Sequence, residues 1–430
     1  MLLVSIHNKF HRFLKILGPG LITGAADDDP SGIATYSQTG AQFGYGQLWM
    51  SLFMLPLQTA VQEACARIGA VTGKGLVAVI KEHYSKKIVY AVCILVLVAN
   101  TINIGADLGA MAAAAQLVLP INFIFWCLSF TVFTLILEIF ASYKAYAKIL
   151  KWLALALISY LLTLFMVSQP WGTIFKSTVI PHFEFSFAFL FVATGLLGTT
   201  ISPYMFFWQA SEEVEEEKEK QIRKLNGIPV LSPQFIKNLR IDTFIGMFIS
   251  SLAAWAIIVV AATVLNQNGI TDIKTSADAA KALEPLVHSF PNAGYLAKVL
   301  FSVGIIGLGL LSVPVLSGSA SYAISEAFNW KEGLNLKLKR AHGFYGVITV
   351  ATLVGLLINF IGIDPVKALV FTAVINGIVA VPLLIIIAKI AQNEKIMGFH
   401  KSGPLSKTLV WTTMTAMGFA AMALLVTIIK

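Results

Sequence analysis

Apolar runs of about 20 residues recur along the whole chain, and each is long enough to cross the hydrocarbon core of a bilayer as a helix. Eleven such runs are predicted, near residues 13–44, 47–69, 88–118, 122–140, 150–168, 186–210, 241–266, 294–327, 343–361, 366–390 and 408–429. Only 12% of the 430 residues are charged, whereas an average soluble domain has about 25%. The sequence therefore predicts an all-α polytopic membrane protein in contact with the lipid bilayer.

The net charge of +9 follows from the way in which basic residues are distributed around the predicted spans. If the N-terminus is cytoplasmic, all but six of the 31 Lys and Arg residues fall on cytoplasmic segments or cytoplasmic span ends. Positive charge is retained on the cytoplasmic side of membrane proteins. This bias predicts a multi-pass protein of the cell membrane with a cytoplasmic N-terminus. It requires no nucleic-acid partner, and no obligatory protein partner is predicted.

The remaining composition indicates one transmembrane unit. Cys65, Cys93 and Cys127 all lie in apolar stretches, so they predict neither a disulfide framework nor a zinc site. No cleaved signal peptide is expected, and the longest polar stretch, residues 211–240, is too short to bury a core of its own. Its segment EEVEEEKEKQIRK mixes both charge signs and is predicted to be a solvated cytoplasmic helix. Residues 1–430 are predicted to form a single transmembrane transport domain.

Two of the predicted spans are interrupted by proline. AADDDPSG lies in the first span and GLLGTTISPYM in the sixth. Proline removes a backbone donor and clashes with the preceding turn, and carbonyls freed inside a membrane must meet protein, water or an ion. Two breaks five spans apart predict inverted repeats at residues 13–168 and 186–390, an extra helix at 408–429, and a transport site at the midplane.

Three aspartates, Asp27, Asp28 and Asp29, immediately precede Pro30 at the first break. They would be unremarkable in a surface loop, but the apolar residues on either side are each needed to cross half of the bilayer. Ionisable groups at that depth are costly and functional by default. We therefore expect a cation site here, with Asp29 as its main ligand. Asp27 and Asp28 face either the same site or a water-filled vestibule.

The chain resembles the Nramp family of divalent-metal transporters, which have the LeuT-type fold of two inverted five-helix repeats. The segments that carry the resemblance occur in family order along nearly the whole chain: GPGLITGAADDDPSGIAT, QEACARIGAVTGKGLVAVI, GADLGAM, GTTISPYMF, FSVGIIGLGLLSVPVLSGSASYAISEAF and NEKIMGF. The resemblance implies a secondary transporter that imports divalent metal cations by alternating access. It implies no cofactor and no enzymatic activity.

The chain departs from the family pattern at ligand positions. The family's Asp is retained as Asp29, but its Asn is replaced by Gly32 and its span-six Met by Ser202. Thioether sulfur favours transition metals, whereas oxygen ligands suit hard ions such as Mg²⁺, which is usually held through water. The departures are similar to those of the Nramp-related magnesium transporters, a branch that carries Mg²⁺ and also Mn²⁺.

Positions that match the family motif imply a ligand set around the two breaks. Asp29 is the primary ligand, and Ala26 and Thr199 would offer backbone carbonyls. Ser202 stands where the family has Met, and two interpretations remain open for it. Its hydroxyl either reaches the ion through water or donates back to its own helix.

Four further polar residues receive weaker assignments. Asp28 is expected to be an outer-shell carboxylate, and Asp27 a weaker one on the permeation path. Asn376 is the only amide in VFTAVINGIVAVP, and it either lines the cavity or packs against a neighbouring helix. Asp107 either lines the aqueous path to the cytoplasm or bonds to a neighbouring helix.

Proton coupling distinguishes the two functions that remain open for this chain. Tyr204 stands at the position of the family's span-six His. A phenol has a reference pKa of about 10, so it carries protons poorly at neutral pH. Ala110 replaces the acid that would pair with Asp107. We expect import of Mg²⁺, Mn²⁺ or both without obligatory proton movement. The alternative is a proton-coupled Mn²⁺/Fe²⁺ symporter, for which the retained Asp29 and Asp107 would supply titratable groups.

Overall fold

The computed structural model describes residues 18–140, 158–225 and 227–429, most of which lie in α-helices. The helices are α1 (Pro19–Asp27), α2 (Pro30–Phe43), α3 (Trp49–Thr72), α4 (Leu76–His83), α5 (Lys86–Val118), α6 (Phe123–Phe140), α7 (Ile158–Met166), α8 (Trp171–Val179), α9 (Phe187–Thr200), α10 (Pro203–Glu219), α11 (Pro233–Val264), α12 (Ser276–Ala280), α13 (Glu284–Val287), α14 (Ala293–Phe328), α15 (His342–Ile358), α16 (Pro365–Gln392), α17 (Glu394–Met397) and α18 (Pro404–Ile429). Two short strands, β1 (Lys224–Leu225) and β2 (Ile228–Pro229), pair antiparallel between α10 and α11.

Within the described residues, seven helical segments are long and apolar enough to cross a membrane. They are α5, α6, α9 together with α10, α11, α14, α16 and α18. Helix α15 is apolar but shorter, at 17 residues. The first predicted span is divided between α1 and α2, and the second coincides with the 24-residue α3. Of the predicted span at 150–168, the structure describes only α7 and the residues directly around it.

Both predicted breaks are present. Asp28 and Asp29 separate α1 from α2, and Ile201 and Ser202 separate α9 from α10. Each second half begins with proline at its first position, where a missing N–H leaves no hydrogen bond unmade. Helix α2 contacts α9, and α1 contacts α10, so the two broken spans lie against each other. The breaks therefore bring unwound backbone from two distant parts of the sequence to one place.

Glycines allow the broken spans to pack closely on their neighbours. A Cβ on Gly24 of α1 would overlap the backbone of Gly246 in α11, and a Cβ on Gly246 would overlap the backbone of Gly20. Helix α9 meets α16 in the same way through Gly198 and Gly377. Small residues at such crossings let helix backbones approach. The two broken spans are thus held by backbone contact, and the long helices α5 and α14 pack along each other beside them.

Candidate functional site

Asp29 lies where three helices converge. As the N-cap of α2, its Oδ1 accepts hydrogen bonds from Ser31 Oγ at 2.6 Å and from the Gly32 backbone N–H at 2.7 Å. Its Oδ2 accepts from Asn103 Nδ2 of α5 at 3.0 Å and lies 3.5 Å from the Tyr204 hydroxyl of α10. Donors that stabilise an ionised carboxylate therefore fix its orientation from α2, α5 and α10.

Hydroxyl donors occupy the backbone carbonyls predicted as ligands. The Ala26 carbonyl accepts from the Tyr204 hydroxyl at 2.9 Å. Ser202 Oγ donates back to α9, with acceptors at the Gly198 carbonyl, 2.5 Å away, and the Thr199 carbonyl, 2.8 Å away. Of the two interpretations of Ser202, this structure contains the one in which it bonds to its own helix. A cation that used the Ala26 and Thr199 carbonyls would have to replace these hydroxyls.

The two breaks meet at Gly32. Ser31 Oγ lies 3.3 Å from Thr199 Oγ1 across the contact between α2 and α9. A Cβ on Gly32 would lie 3.3 Å from the Asp27 carbonyl oxygen and 3.4 Å from Thr199 Oγ1. The side chain of the Asn found here in the family pattern would therefore extend into the space between the breaks. With glycine, that space is bounded by the Asp27 carbonyl, the Thr199 hydroxyl and the ring of Tyr36.

Asp27 and Asp28 contact a different helix from Asp29. Ser250 Oγ of α11 donates to Asp27 Oδ2 and lies 3.4 Å from Asp28 Oδ1. In the described part of the chain, Asp27 Oδ1 and Asp28 Oδ2 have no hydrogen-bond partner. All three aspartates are at most 1% exposed, and no ion pair to a lysine or arginine is found for them among the described residues. Buried carboxylates without a cationic neighbour are strongly unfavourable in a membrane, so this group of charges suits a bound cation.

Asp107 is connected to the site through its own helix. It follows Asn103 by four residues on α5, so the two side chains share a helix face. Its Oδ2 accepts from Ser312 Oγ of α14 at 2.6 Å, and its Oδ1 has no partner among the residues that the structure describes. This is the arrangement in which Asp107 bonds to a neighbouring helix. Ala110, one turn further, lines an apolar cavity together with Ile305.

Asn376 lies on α16 next to the contact between α16 and α9. Its side chain is 1% exposed, and its Nδ2 lacks a hydrogen-bond partner within the described ranges. The following residue, Gly377, packs against Gly198 two residues before the end of α9. The structure thus brings Asn376 close to the second break and leaves its amide nitrogen available.

The donor atoms at the breaks are oxygens of carboxylates, hydroxyls and carbonyls, with amides beside them. In the described part of the chain, no three His, Cys, Asp or Glu side chains converge closely enough to hold a metal ion by themselves. Mg²⁺ is usually bound through one or two carboxylates and keeps several waters. The arrangement is therefore chemically suited to a dication that retains part of its hydration shell.

Three of these residues were not selected from the sequence. Asn103 and Ser31 contact the Asp29 carboxylate directly, and Ser250 contacts Asp27. A signal existed for Asn103, because it precedes Asp107 by one helical turn within NTINIGAD. No comparable signal marks Ser250, which lies in an ordinary apolar stretch, FISSLAAW.

Comparison with known proteins places these features in context. A family model described as Nramp, natural resistance-associated macrophage protein-like, matches residues 20–427. The divalent metal cation transporter MntH of Klebsiella pneumoniae subsp. pneumoniae is 26% identical over 395 residues, which cover 90% of this chain and 87% of that protein. The crystal structure of the Eremococcus coleocola manganese transporter with an aromatic bis-isothiourea substituted compound matches with a TM-score of 0.76 at 17% identity, covering 96% of this chain and 87% of that chain.

A second solved structure shares the architecture without close sequence similarity. MHP1, a nucleobase-cation-symport-1 family transporter in a closed conformation, matches with a TM-score of 0.62 at 12% identity, covering 95% of this chain and 92% of that chain. These likenesses confirm the predicted fold class, an all-α polytopic membrane protein of LeuT type with its first and sixth spans broken.

Proposed function

We propose that this chain, which belongs to the Nramp family of divalent metal transporters, imports Mg²⁺ and also Mn²⁺ across the cell membrane by alternating access. The observation that carries the proposal is the Asp29 carboxylate, buried at the first break and oriented by donors from α2, α5 and α10. The relative from K. pneumoniae and the E. coleocola structure are both named as divalent metal or manganese transporters.

The preference for a hard ion is supported by the donors at the second break. Ser202 brings a hydroxyl to the position where the family pattern has a thioether. Oxygen donors do not favour transition metals over Mg²⁺ in the way that sulfur does. Because Gly32 stands where the family pattern has Asn, no amide side chain at this position competes with water for the ion. We therefore expect weak discrimination between Mg²⁺ and Mn²⁺.

Transport without obligatory proton movement is the second element of the proposal. Ala110, which stands where the family pattern has an acid, lines an apolar cavity, and this supports the proposal because an alanine cannot exchange a proton with Asp107. Tyr204 uses its hydroxyl to bond the Ala26 carbonyl. A dication gains about 2.3 kcal/mol per charge for every 100 mV on moving to the negative side of the membrane. The membrane potential can therefore drive accumulation without a proton gradient.

Alternating access requires the site to be closed to both sides at some stage. Asp29, Thr199 and Ser202 are each 1% exposed, so the breaks are shielded from solvent in this structure. We assign residues 13–168 and 186–390 to the two inverted repeats, with 408–429 as an extra helix and the N-terminus in the cytoplasm. In this arrangement α1 and α10 form the inner halves of the broken spans, and α2 and α9 the outer halves.

A liposome assay tests the proposal. Purified protein is reconstituted, and uptake of Mg²⁺, Mn²⁺ and Ca²⁺ is measured in parallel with internal pH, with and without an imposed potential. We expect uptake of both Mg²⁺ and Mn²⁺ that increases with the potential while internal pH stays constant. Uptake of Mn²⁺ by a protein that ignores millimolar Mg²⁺ would contradict the hard-ion proposal.

The second candidate is a proton-coupled Mn²⁺/Fe²⁺ symporter. It is favoured by the placement of Asp107 one helical turn from Asn103, whose amide bonds Asp29. Two carboxylates linked in this way could pass a proton along α5. Acidification of the liposome lumen in step with metal uptake would establish this candidate and remove the uncoupled one.

A further inference from the structure

Of the segment EEVEEEKEKQIRK, residues 212–217 are mostly buried and residues 218–224 are mostly exposed, so the prediction of a solvated helix was wrong for its first half. Its side chains are enclosed because α10 packs against α1, α3 and α14. The glutamates that are at most 7% exposed are Glu212, Glu213, Glu215 and Glu217. A local mixture of charge signs predicts solvent exposure only when one helix face is free, and α10 contacts other helices besides these three. These carboxylates therefore need an explanation of their own.

One of them belongs to a chain of polar groups between α1 and α10. Gln209 and Glu213 are four residues apart on one face of α10, and Gln209 Nε2 donates to Glu213 Oε1 at 2.9 Å. Gln209 Oε1 in turn accepts from Thr23 Oγ1 of α1. Glu213 is 1% exposed, yet its Oε2 has no hydrogen-bond partner in the described part of the chain. A buried carboxylate oxygen without a donor is costly, and a cation would remove that cost.

Two more carboxylates surround this position. Glu216 and Asp242 interact electrostatically with Glu213. They also converge on Gly18, where an added Cβ would lie 3.0 Å from Glu216 Oε1 and 3.5 Å from Asp242 Oδ2. Asp242 accepts a hydrogen bond from the Gly18 backbone N–H at 2.8 Å, and Glu216 forms an ion pair with Lys220 at 2.7 Å. Lys220 also interacts electrostatically with Glu213, but Glu213 Oε2 has no hydrogen-bond partner in the described part of the chain.

The position lies on the route that a transported ion would follow inward. Helices α1 and α10 are the inner halves of the broken spans, and their contact extends from the breaks to the start of α1. Thr23 precedes Asp27 by one helical turn, so the polar chain begins directly below the aspartates. An ion that leaves Asp29 toward the cytoplasm would move between these two helices and reach Gln209 and Glu213.

We propose that Glu213, together with Gln209, forms a second divalent-cation position on the cytoplasmic route, separate from Asp29. This inference rests on the proposed function, because it requires an ion that moves inward from the breaks. The ligand is a partly hydrated dication, held by one carboxylate and one amide oxygen and by waters. When α1 moves away from α10, Thr23 releases the Gln209 amide oxygen. Glu216 and Asp242 contribute negative charge around the position.

Counting bound Mn²⁺ tests this proposal. Full-length protein is titrated with Mn²⁺ to saturation, and bound metal is measured by electron paramagnetic resonance. We expect two ions per chain in the wild type and one in Glu213→Gln, with the Asp29 position still occupied. Glu219→Gln is the matched control, because Glu219 is exposed on the same helix and loses the same charge. The control is expected to bind two ions.

Transport measurements separate this inference from the proposed function. In liposomes, Glu213→Gln is expected to reduce the rate of Mn²⁺ uptake about tenfold, as loss of a charged ligand contact does, and Glu213→Asp is expected to restore most of it. If Glu213→Gln does not fold, Gln209→Ala provides the same test with the carboxylate intact. A single Mn²⁺ in the wild type, unchanged by either substitution, would overturn the second position alone. Full uptake by Asp29→Ala would overturn the proposed function instead.

Discussion

Tyr204 donates its phenolic hydrogen to the backbone carbonyl of Ala26 over 2.9 Å, which joins α10 of one broken span to α1 of the other. The carbonyl belongs to the last turn of α1, where no residue of the same helix can donate to it. The same hydroxyl lies 3.5 Å from Asp29 Oδ2. An ion bound to both the Ala26 carbonyl and Asp29 would lie beside this hydroxyl and would have to share the carbonyl with it or displace it. Tyr204 therefore competes with the transported ion for the same acceptors.

Tyr204→Phe is expected to strengthen metal binding. It is expected to leave the relation between metal uptake and proton movement unchanged. Removing one neutral hydrogen bond of about 0.5–1.5 kcal/mol should lower the apparent KM for Mn²⁺ by about two- to tenfold, because the Ala26 carbonyl is released. The measurement is concentration-dependent uptake in liposomes with an internal pH dye. If wild type acidified the lumen during uptake and the variant did not, the phenol would belong to a proton route and this prediction would be wrong.

Asp29→Ala is expected to abolish cation transport while the protein remains folded and inserted. Its carboxylate is the one at the first break that contacts Asn103 and Tyr204, whereas Asp27 and Asp28 contact Ser250 of α11. Uptake is compared at equal reconstituted amounts, with folding checked by size exclusion and thermal unfolding. Asp272→Ala is the control, since Asp272 is an exposed aspartate far from the breaks in sequence. Near-normal uptake by Asp29→Ala would remove Asp29 from the site.

Ser202→Met is expected to shift preference from Mg²⁺ toward Mn²⁺ and Cd²⁺. The substitution removes the hydroxyl that bonds the Thr199 carbonyl and introduces a soft sulfur at the second break. Competition of Mg²⁺ and Cd²⁺ with Mn²⁺ uptake measures the change. Ser202→Ala removes the same hydrogen bonds without adding sulfur, so an equal shift in that variant would show that sulfur is not the cause.

Asn103→Ala is expected to weaken metal binding by about 10- to 100-fold, because a hydrogen bond to a charged group contributes about 1.5–3 kcal/mol. The amide orients Asp29 Oδ2 from α5. The apparent affinity for Mn²⁺ is measured by binding and by uptake. Asn100→Ala is the matched control on the same helix, because the Asn100 amide donates to the Leu316 carbonyl at 2.9 Å and not to an aspartate. Equal effects of both substitutions would assign Asn103 a purely structural role.

The helices and the two breaks could be predicted because their causes are local. Apolar length, proline and the residues beside it act within one turn, so the positions of the breaks follow from the sequence around Pro30 and Pro203. The position of Asp29 at the first break could be predicted for the same reason. The family resemblance added the expectation that both breaks belong to one site.

The remaining features depend on which helices meet, and local patterns do not contain that information. Ser250 bonds Asp27 across more than two hundred residues of sequence, and this separates Asp27 and Asp28 from Asp29. The burial of the acidic run in α10 has the same origin, since helices from distant parts of the sequence enclose it. The charge pattern of α10 alone predicts side chains exposed to solvent, whereas the helices packed against α10 bury them.

The contact between Gly24 and Gly246 restricts how the inner half of the first span can tilt. Two backbones that touch directly have no layer of side chains between them that could deform, and such interfaces shift as rigid units rather than by gradual bending. Asp242 adds hydrogen bonds from α11 to the start of α1. We therefore expect α1 and α11 to move as one body. A separation of α1 from α10 would then break the contact at which the Thr23 hydroxyl donates to the Gln209 amide oxygen.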